Sequence, residues 1–379
     1  IQELRKIYEY AKQEKNVSQM MKAHLTRASL CIDITPDSLD SELSALKAWM
    51  EEEKDTVYQA ILNNLLGYYI LDTGKKDETA IDTAIAYFQR SLQDKEILFR
   101  KSAVDYRPMT NSKELSEKYC GDNMYQLLAR QAISRLSGYF IANPVSAEKI
   151  QTEILSIYDG LIDFYRQQGM TDARLLLMLD KLHYKGNDVS RGGVNERLRL
   201  TDEQVITLLK QWAEEFADSP LCGEVYCQLA ERYDRMQDYT AKLKAAQTGL
   251  AKYPRSLSAN DLKEQIAEVL TPRLMVEIPF AYPGKDVDLK VKYRNLAGLT
   301  VELYRMNLPV TSPVLEREIN ASTLSQYGKL VSSRHYDLAA TPDYKETDTL
   351  LRYKFPVEGI YVVKSIPDGH RKYTAYGKA

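Results

Sequence analysis

The apolar residues of this chain change period once, beside Thr271-Pro272, and that switch limits the fold more than any other feature. Before it they recur at i, i+3, i+4 and i+7, the rhythm of helices with one buried stripe. Ile61, Leu62, Leu65, Leu66 and Tyr69 form one stripe, and Ala80, Ala84, Tyr87, Phe88 and Leu92 a second. Tyr125, Leu128, Ala129, Ala132, Ile133 and Leu136 form a third, and Ile154, Ile157, Tyr158, Leu161 and Tyr165 a fourth. After the proline the period is two. Leu274, Val276, Ile278 and Phe280 alternate with Met275, Glu277 and Pro279, and Val287, Leu289, Val291 and Tyr293 with Asp288, Lys290 and Lys292. Alternation of this kind marks strands with one apolar and one wet face, as in an antiparallel sandwich. The expected fold class is therefore α+β as two separate domains: an irregular all-α helical-hairpin array over 1–270, then an antiparallel β-sandwich over 271–379.

Punctuation supports about a dozen helices, mostly in antiparallel pairs. Asp72-Thr73-Gly74, Asn143-Pro144, Gly169 and Ser190-Arg191-Gly192-Gly193 break the stripes. Pro36-Asp37-Ser38 precedes one helix, and Thr201-Asp202-Glu203-Gln204 can cap another. In the second region Asn295-Leu296-Ala297-Gly298 makes a turn into Leu299, Val301 and Leu303. Further strands are expected at Thr349–Phe355, Gly359–Ser365 and Lys372–Tyr376. Between them Pro309–Tyr344 reads as a long insertion, of the kind that serves as a contact surface. No closing strand is evident at Gly377-Lys378-Ala379, and Ile1 opens the chain without methionine or signal sequence, so the expectation is a piece of a longer, processed protein.

Charge narrows the function classes. With 51 basic and 53 acidic residues the net charge is -2, which offers no field for nucleic acid or an anionic membrane. No apolar run approaches the ~20 residues that span a bilayer. Cys31, Cys120, Cys222 and Cys227 lack the close pairs of a zinc site, and His24, His183, His335 and His370 are scattered. Ser190-Arg191-Gly192-Gly193-Val194 lacks the lysine-serine ending of a phosphate-binding loop, and Glu51-Glu52-Glu53 reads as a solvated run. A glycosidase needs two carboxylates held ~5–10 Å apart, and no local motif indicates such a pair. No catalytic residue, cofactor or metal ligand is assigned; the expected chain is not an enzyme.

Pro220 and Pro254 lie 34 positions apart. Between them come Tyr226, Leu229, Ala230 and Tyr233, then Asp238-Tyr239, Ala246 and Gly249. This resembles the tetratricopeptide pattern, in which large residues of one helix fill a groove left by small residues of the next. Lys242 stands where that pattern prefers alanine, and Leu66-Gly67 with Ala84 and Phe88 is a weaker echo. The same placement explains Cys222-Gly223-Glu224-Val225-Tyr226-Cys227-Gln228. Its first three residues match the Cys-Gly-Glu-Gln of thioester proteins, but Val225 has no carboxamide. Gln228 falls ~240° further round a helix, and five helical positions separate Cys222 from Cys227 by ~7.5 Å, too far for a disulfide. Both cysteines are expected to be plain, buried helix residues.

Tyr282-Pro283-Gly284, the run Val287–Leu296, Val301-Glu302-Leu303-Tyr304-Arg305 and Phe355–Val363 together resemble the first macroglobulin-type sandwich of bacterial alpha-2-macroglobulin-like proteins. The subgroup it is most similar to comes from Bacteroidetes, where a helical region precedes that sandwich. The resemblance covers the last ~105 residues. It implies a cell-envelope location and a non-catalytic scaffold or protein-docking role. The partners would be downstream domains of the same chain, another protein, or proteases trapped by the full-length protein. Bait and thioester would lie beyond this chain. Two alternatives stand beside it: a stand-alone helical-repeat adaptor and an envelope glycan-binding lipoprotein.

Overall fold

The structure is a computed structural model that describes residues 2–34, 39–73, 78–106, 116–142, 147–186, 200–279, 281–316 and 319–379. A helical region is followed by a β region of two antiparallel sheets, and the last helix of the helical region ends at Leu270 before the first strand opens at Arg273. By close packing the chain divides into two compact units. One is Ile1–Thr207 with Glu214–Leu221; the other is Leu208–Ala213 with Cys222–Ala379. Pro36–Ser38, Gly74, Asn143-Pro144 and the glycine-rich 190–194 stretch lie outside the described residues.

The first unit is built from α1 (Gln2–Gln13), α2 (Val17–Ile34), α3 (Leu39–Glu52), α4 (Thr56–Thr73), α5 (Glu78–Ser91), α6 (Lys95–Phe99), α7 (Ser116–Cys120), α8 (Met124–Ala142), α9 (Ala147–Gln167) and α10 (Thr171–Gly186). The helix α11 (Asp202–Glu215) contributes residues to both units. Helix α4 packs on α3, α5 and α8, and α9 packs on α8 and α10. All four apolar stripes point into one core, with Leu62, Leu66, Phe88, Leu136, Leu161 and Tyr165 fully buried. The Leu66-Gly67 echo is a physical contact: a Cβ on Gly67 would stand 2.9 Å from the Phe88 ring, so only glycine lets α5 approach. Thr201 and Gln204 make the expected reciprocal cap, Thr201 N donating to Gln204 Oε1 at 2.9 Å and Gln204 N to Thr201 Oγ1 at 3.3 Å.

The second unit opens with α12 (Cys222–Arg235), α13 (Tyr239–Lys252) and α14 (Ala259–Leu270). Asp238 caps α13 by accepting from Ala241 N at 3.0 Å. Gly249 of α13 lies against Tyr226 and Leu262, so the large-into-small packing read from the 34-residue spacing is present here.

Among the described residues seven strands follow: β1 (Arg273–Glu277), β2 (Asp286–Arg294), β3 (Gly298–Met306), β4 (Gly328–Asp337), β5 (Thr347–Lys354), β6 (Tyr361–Pro367) and β7 (Ala375–Lys378). One sheet has the order β1-β2-β5 and the other β4-β3-β6-β7, all antiparallel. Val287, Leu289, Val291 and Tyr293, with Tyr353 of the same sheet, share a core with Leu299, Val301, Leu303 and Val363 of the other sheet. The turn 295–298 is not a hairpin, because β2 and β3 sit in different sheets; it is a corner that carries the chain from one layer to the other. The 309–344 stretch is more ordered than its sequence indicates. It holds a short 3₁₀ turn at Pro313–Glu316, helix α15 (Ala321–Tyr327) and the whole of β4. Leu324 of α15 packs on Met306 and Val362, burying the outer side of the second sheet there.

Candidate functional site

The cysteine stretch resolves into three structural tasks. Cys222 begins α12, fully buried, and its Sγ donates weakly to Ala213 O at 3.7 Å. A Cβ on Gly223 would collide with the Ser256 side chain and stand 3.1 Å from Tyr253 Cβ, so glycine lets the turn before α14 close against α12. Glu224 accepts from Ser258 N at 2.9 Å and from the Ser258 hydroxyl, fastening the start of α14. Cys222 and Cys227 are free thiols. Burial pushes Cys222 up and Cys227 to about 12, so neither is a nucleophile at neutral pH.

The second arrangement joins the helices to the sandwich within the second unit. Arg294, at the end of β2, is only 4% exposed. Its Nη2 donates to the carbonyl of Glu268 at 2.7 Å and reaches that of Thr271 at 3.4 Å. Asn295 Nδ2 donates to Val269 O at 2.7 Å, and its backbone takes the left-handed conformation (φ 55°) that turns the corner. Two polar side chains thus satisfy the last carbonyls of α14, which no intrahelical donor reaches. Lys242 extends the network on the other side of Glu268. Its ammonium lies 2.7 Å from both Asp234 Oδ1 and Glu268 Oε2. Burial works against its charge, but these hydrogen bonds outweigh that and hold its pKa above the ordinary value. The lysine that departs from the alanine preference therefore ties α12 and α14 through α13.

The third arrangement is a groove in the first unit. Two adjoining depressions of about 620 and 430 Å³ share Gln93, Lys95 and Gly160. Helices α5 and α9 form the walls of the larger, with Tyr125 of α8 between them. Tyr125 is 2% exposed, its hydroxyl makes no hydrogen bond among the described residues, and burial raises its pKa to about 12. A Cβ on Gly160 would lie 3.6 Å from that hydroxyl and 3.9 Å from Lys95 Nζ, so the missing side chain leaves a space bounded by two donors. Lys95 has no ion-pair partner among the described residues. Glu153 on the far wall accepts from Gln89 Nε2 at 2.9 Å. Burial pushes its carboxyl up, and the bond from Gln89 only partly offsets this; no second carboxylate contributes to the shift. The smaller depression is lined by Asp94, Glu96 and Asp163, with Ile97 exposed beside them.

His24 is buried beneath Tyr8 and Trp49 in the first unit, where Arg27 Nη2 lies 3.1 Å from its Nδ1. His335 pairs with Asp368 at 2.7 Å in the second. Among the described residues no group of three or more His, Cys, Asp or Glu side chains is placed to hold a metal ion, and no helix is long and apolar enough to cross a membrane. The Cys31 side chain is outside the described residues. Sequence reading assigned no residue to a site; the groove escaped it because Lys95, Tyr125 and Gly160 come from three helices with no spacing in common. A scan against protein-family models finds no match to this chain, and a search of curated proteins finds no relative.

Proposed function

We propose that the chain is a non-catalytic scaffold and protein-docking portion of a larger, cell-envelope alpha-2-macroglobulin-like protein. One observation carries the reading: the β2–β3 corner of a three-plus-four-stranded sandwich is fastened to α14 by Arg294 and Asn295. A buried guanidinium and a half-buried amide, each aimed at a particular carbonyl, hold an orientation there, which is what a rigid base for further domains requires. The buried Cys222 and Cys227, whose pKa values burial raises, also favour a binding role over covalent chemistry. The experiment is to isolate the natural full-length protein and challenge it with trypsin. The expected result is a stable complex in which trypsin still cleaves a small chromogenic peptide but no longer digests a large protein. A gene product ending near residue 379, or trypsin left free and fully active, refutes the proposal.

The groove favours a second reading, a stand-alone helical adaptor that captures peptides. The glycan-binding alternative gains less, because many tyrosines that could stack on sugars are core residues, among them Tyr69, Tyr165, Tyr293, Tyr353 and Tyr361.

A further inference from the structure

The geometry points to the groove between α5, α6, α8 and α9 as the seat of an extended peptide segment carrying an acidic and a basic side chain two residues apart. This rests on the docking reading but not on protease trapping.

The two depressions differ in charge. The larger presents Arg90, Lys95 and the hydroxyls of Tyr125 and Ser156, and its one acid, Glu153, is already engaged by Gln89. The smaller presents Asp94, Glu96 and Asp163 beside the shared Lys95, and among the described residues only Asp163 of these acids has an ion-pair partner, the exposed Arg166 at 3.0 Å. A ligand that satisfies both carries its negative group over Gly160, where the Tyr125 hydroxyl and Lys95 ammonium converge, and its positive group over the acids. Tyr125 is the most telling group. Its ring is buried, its hydroxyl opens onto the groove, and no partner for it stands among the described residues, so it is a donor free for a ligand.

Continuity selects a chain-like ligand. The two spaces share Gln93, Lys95 and Gly160, so one extended strand crosses both. Residues i and i+2 of an extended chain lie ~7 Å apart and point the same way. A neutral oligosaccharide fits less well. It would seek exposed aromatic faces, whereas Phe164 and Tyr125 are 3% and 2% exposed. It would also leave the charges at both ends unanswered.

The probe is a fluorescein-labelled, end-blocked peptide, Ser-Thr-Glu-Thr-Lys-Thr-Ser, titrated into the 379-residue chain by fluorescence anisotropy. Saturable binding is expected, with about tenfold loss when Glu and Lys of the peptide become Gln and Met, the worth of one charged hydrogen bond. Tyr125→Phe removes one oxygen from a buried ring, leaves the fold intact and should weaken binding by a similar factor. Lys95→Glu, at an exposed position, should abolish binding of this peptide and restore it for the version with Lys in place of Glu. Equal affinity for charged and neutral peptides, indifference to both variants, absence of binding, or displacement by soluble starch or laminarin would each overturn the inference. None of these outcomes bears on trypsin capture by the full-length protein, so the two proposals fail separately.

Discussion

Replacing Arg294 by methionine isolates what the guanidinium does at the helix–sandwich joint. Methionine keeps most of the buried stem, so the packing change is below about 1 kcal/mol. The bond to Glu268 O at 2.7 Å is charge-assisted and contributes about 1.5–3 kcal/mol, whereas the 3.4 Å approach to Thr271 O is at the limit of hydrogen bonding and adds little. Against this stands the cost of burying the cation. Its Nε has no partner, and burial together with nearby Arg273 pulls its pKa down. Relief of that strain returns about 1 kcal/mol. The net expectation is a loss of about 2 kcal/mol from the second unit. The two tryptophans make the assay selective, because Trp49 lies in the first unit and Trp212 in the second. In a Trp49→Phe background, urea unfolding followed by Trp212 emission should shift by that amount. A shift under ~0.5 kcal/mol would show that the cation's burial and its hydrogen bonds cancel, and would remove the energetic argument for the joint.

The same Trp212 assay should register a loss of about 2 kcal/mol for Gly223→Ala, an overpacking cost, since the new methyl group meets Ser256 and Tyr253; a neutral result would mean that the turn before α14 can move aside. His24 predicts an acid-labile first unit. Burial lowers its pKa, Arg27 lowers it further, and Glu42 only partly opposes them. The neutral ring is thus favoured by folding, so its stability is complete above the unfolded value near 6.5 and is lost as pH falls below it. In a Trp212→Phe background, Trp49-detected unfolding should weaken between pH 7.5 and 5.5, and His24→Gln should flatten that part of the profile. His335 shifts the other way, because its hydrogen bond to Asp368 favours the imidazolium; proton NMR should find it titrating above 6.5, and Asp368→Asn should bring it back. The buried Cys120, Cys222 and Cys227 should ignore Ellman's reagent in a folded Cys31→Ser variant and react on unfolding; prompt reaction would contradict their burial and raised pKa values.

Periodicity made the helices and the inner strands legible, because one buried face imprints its spacing on the residues that fill it. It failed at β4. That strand is a sheet edge, with Leu330 and Val331 exposed along with its charged residues, so neither face leaves a pattern. It failed again at the β2–β3 corner, where Asn295 read as a turn residue but not as one that changes layers and caps a helix 26 positions earlier. Arg294 follows the alternating run that ends at Tyr293; only three dimensions place it against the end of α14. The groove was invisible for the same reason: a site assembled from single residues of separate helices leaves no trace of spacing.

The polar joint and the apolar cores do different work. Burial of Leu289, Val291, Val301 and their neighbours would hold a sandwich together, and the α12–α14 packing would hold three helices, wherever the two were placed. Apolar contacts are non-directional and tolerate sliding. A guanidinium and an amide aimed at particular carbonyls do not, because a slip of one residue along α14 leaves those carbonyls and both donors unsatisfied at once. Asp234, Lys242 and Glu268 add a second constraint on the same helix. Since Asp234 and Glu268 are each about half exposed, Lys242→Met should lower stability little, their carboxylates simply rehydrating, while loosening α14 against α12. Faster amide exchange along α14 at nearly unchanged stability would show that these charges set an angle between elements, the property a scaffold needs.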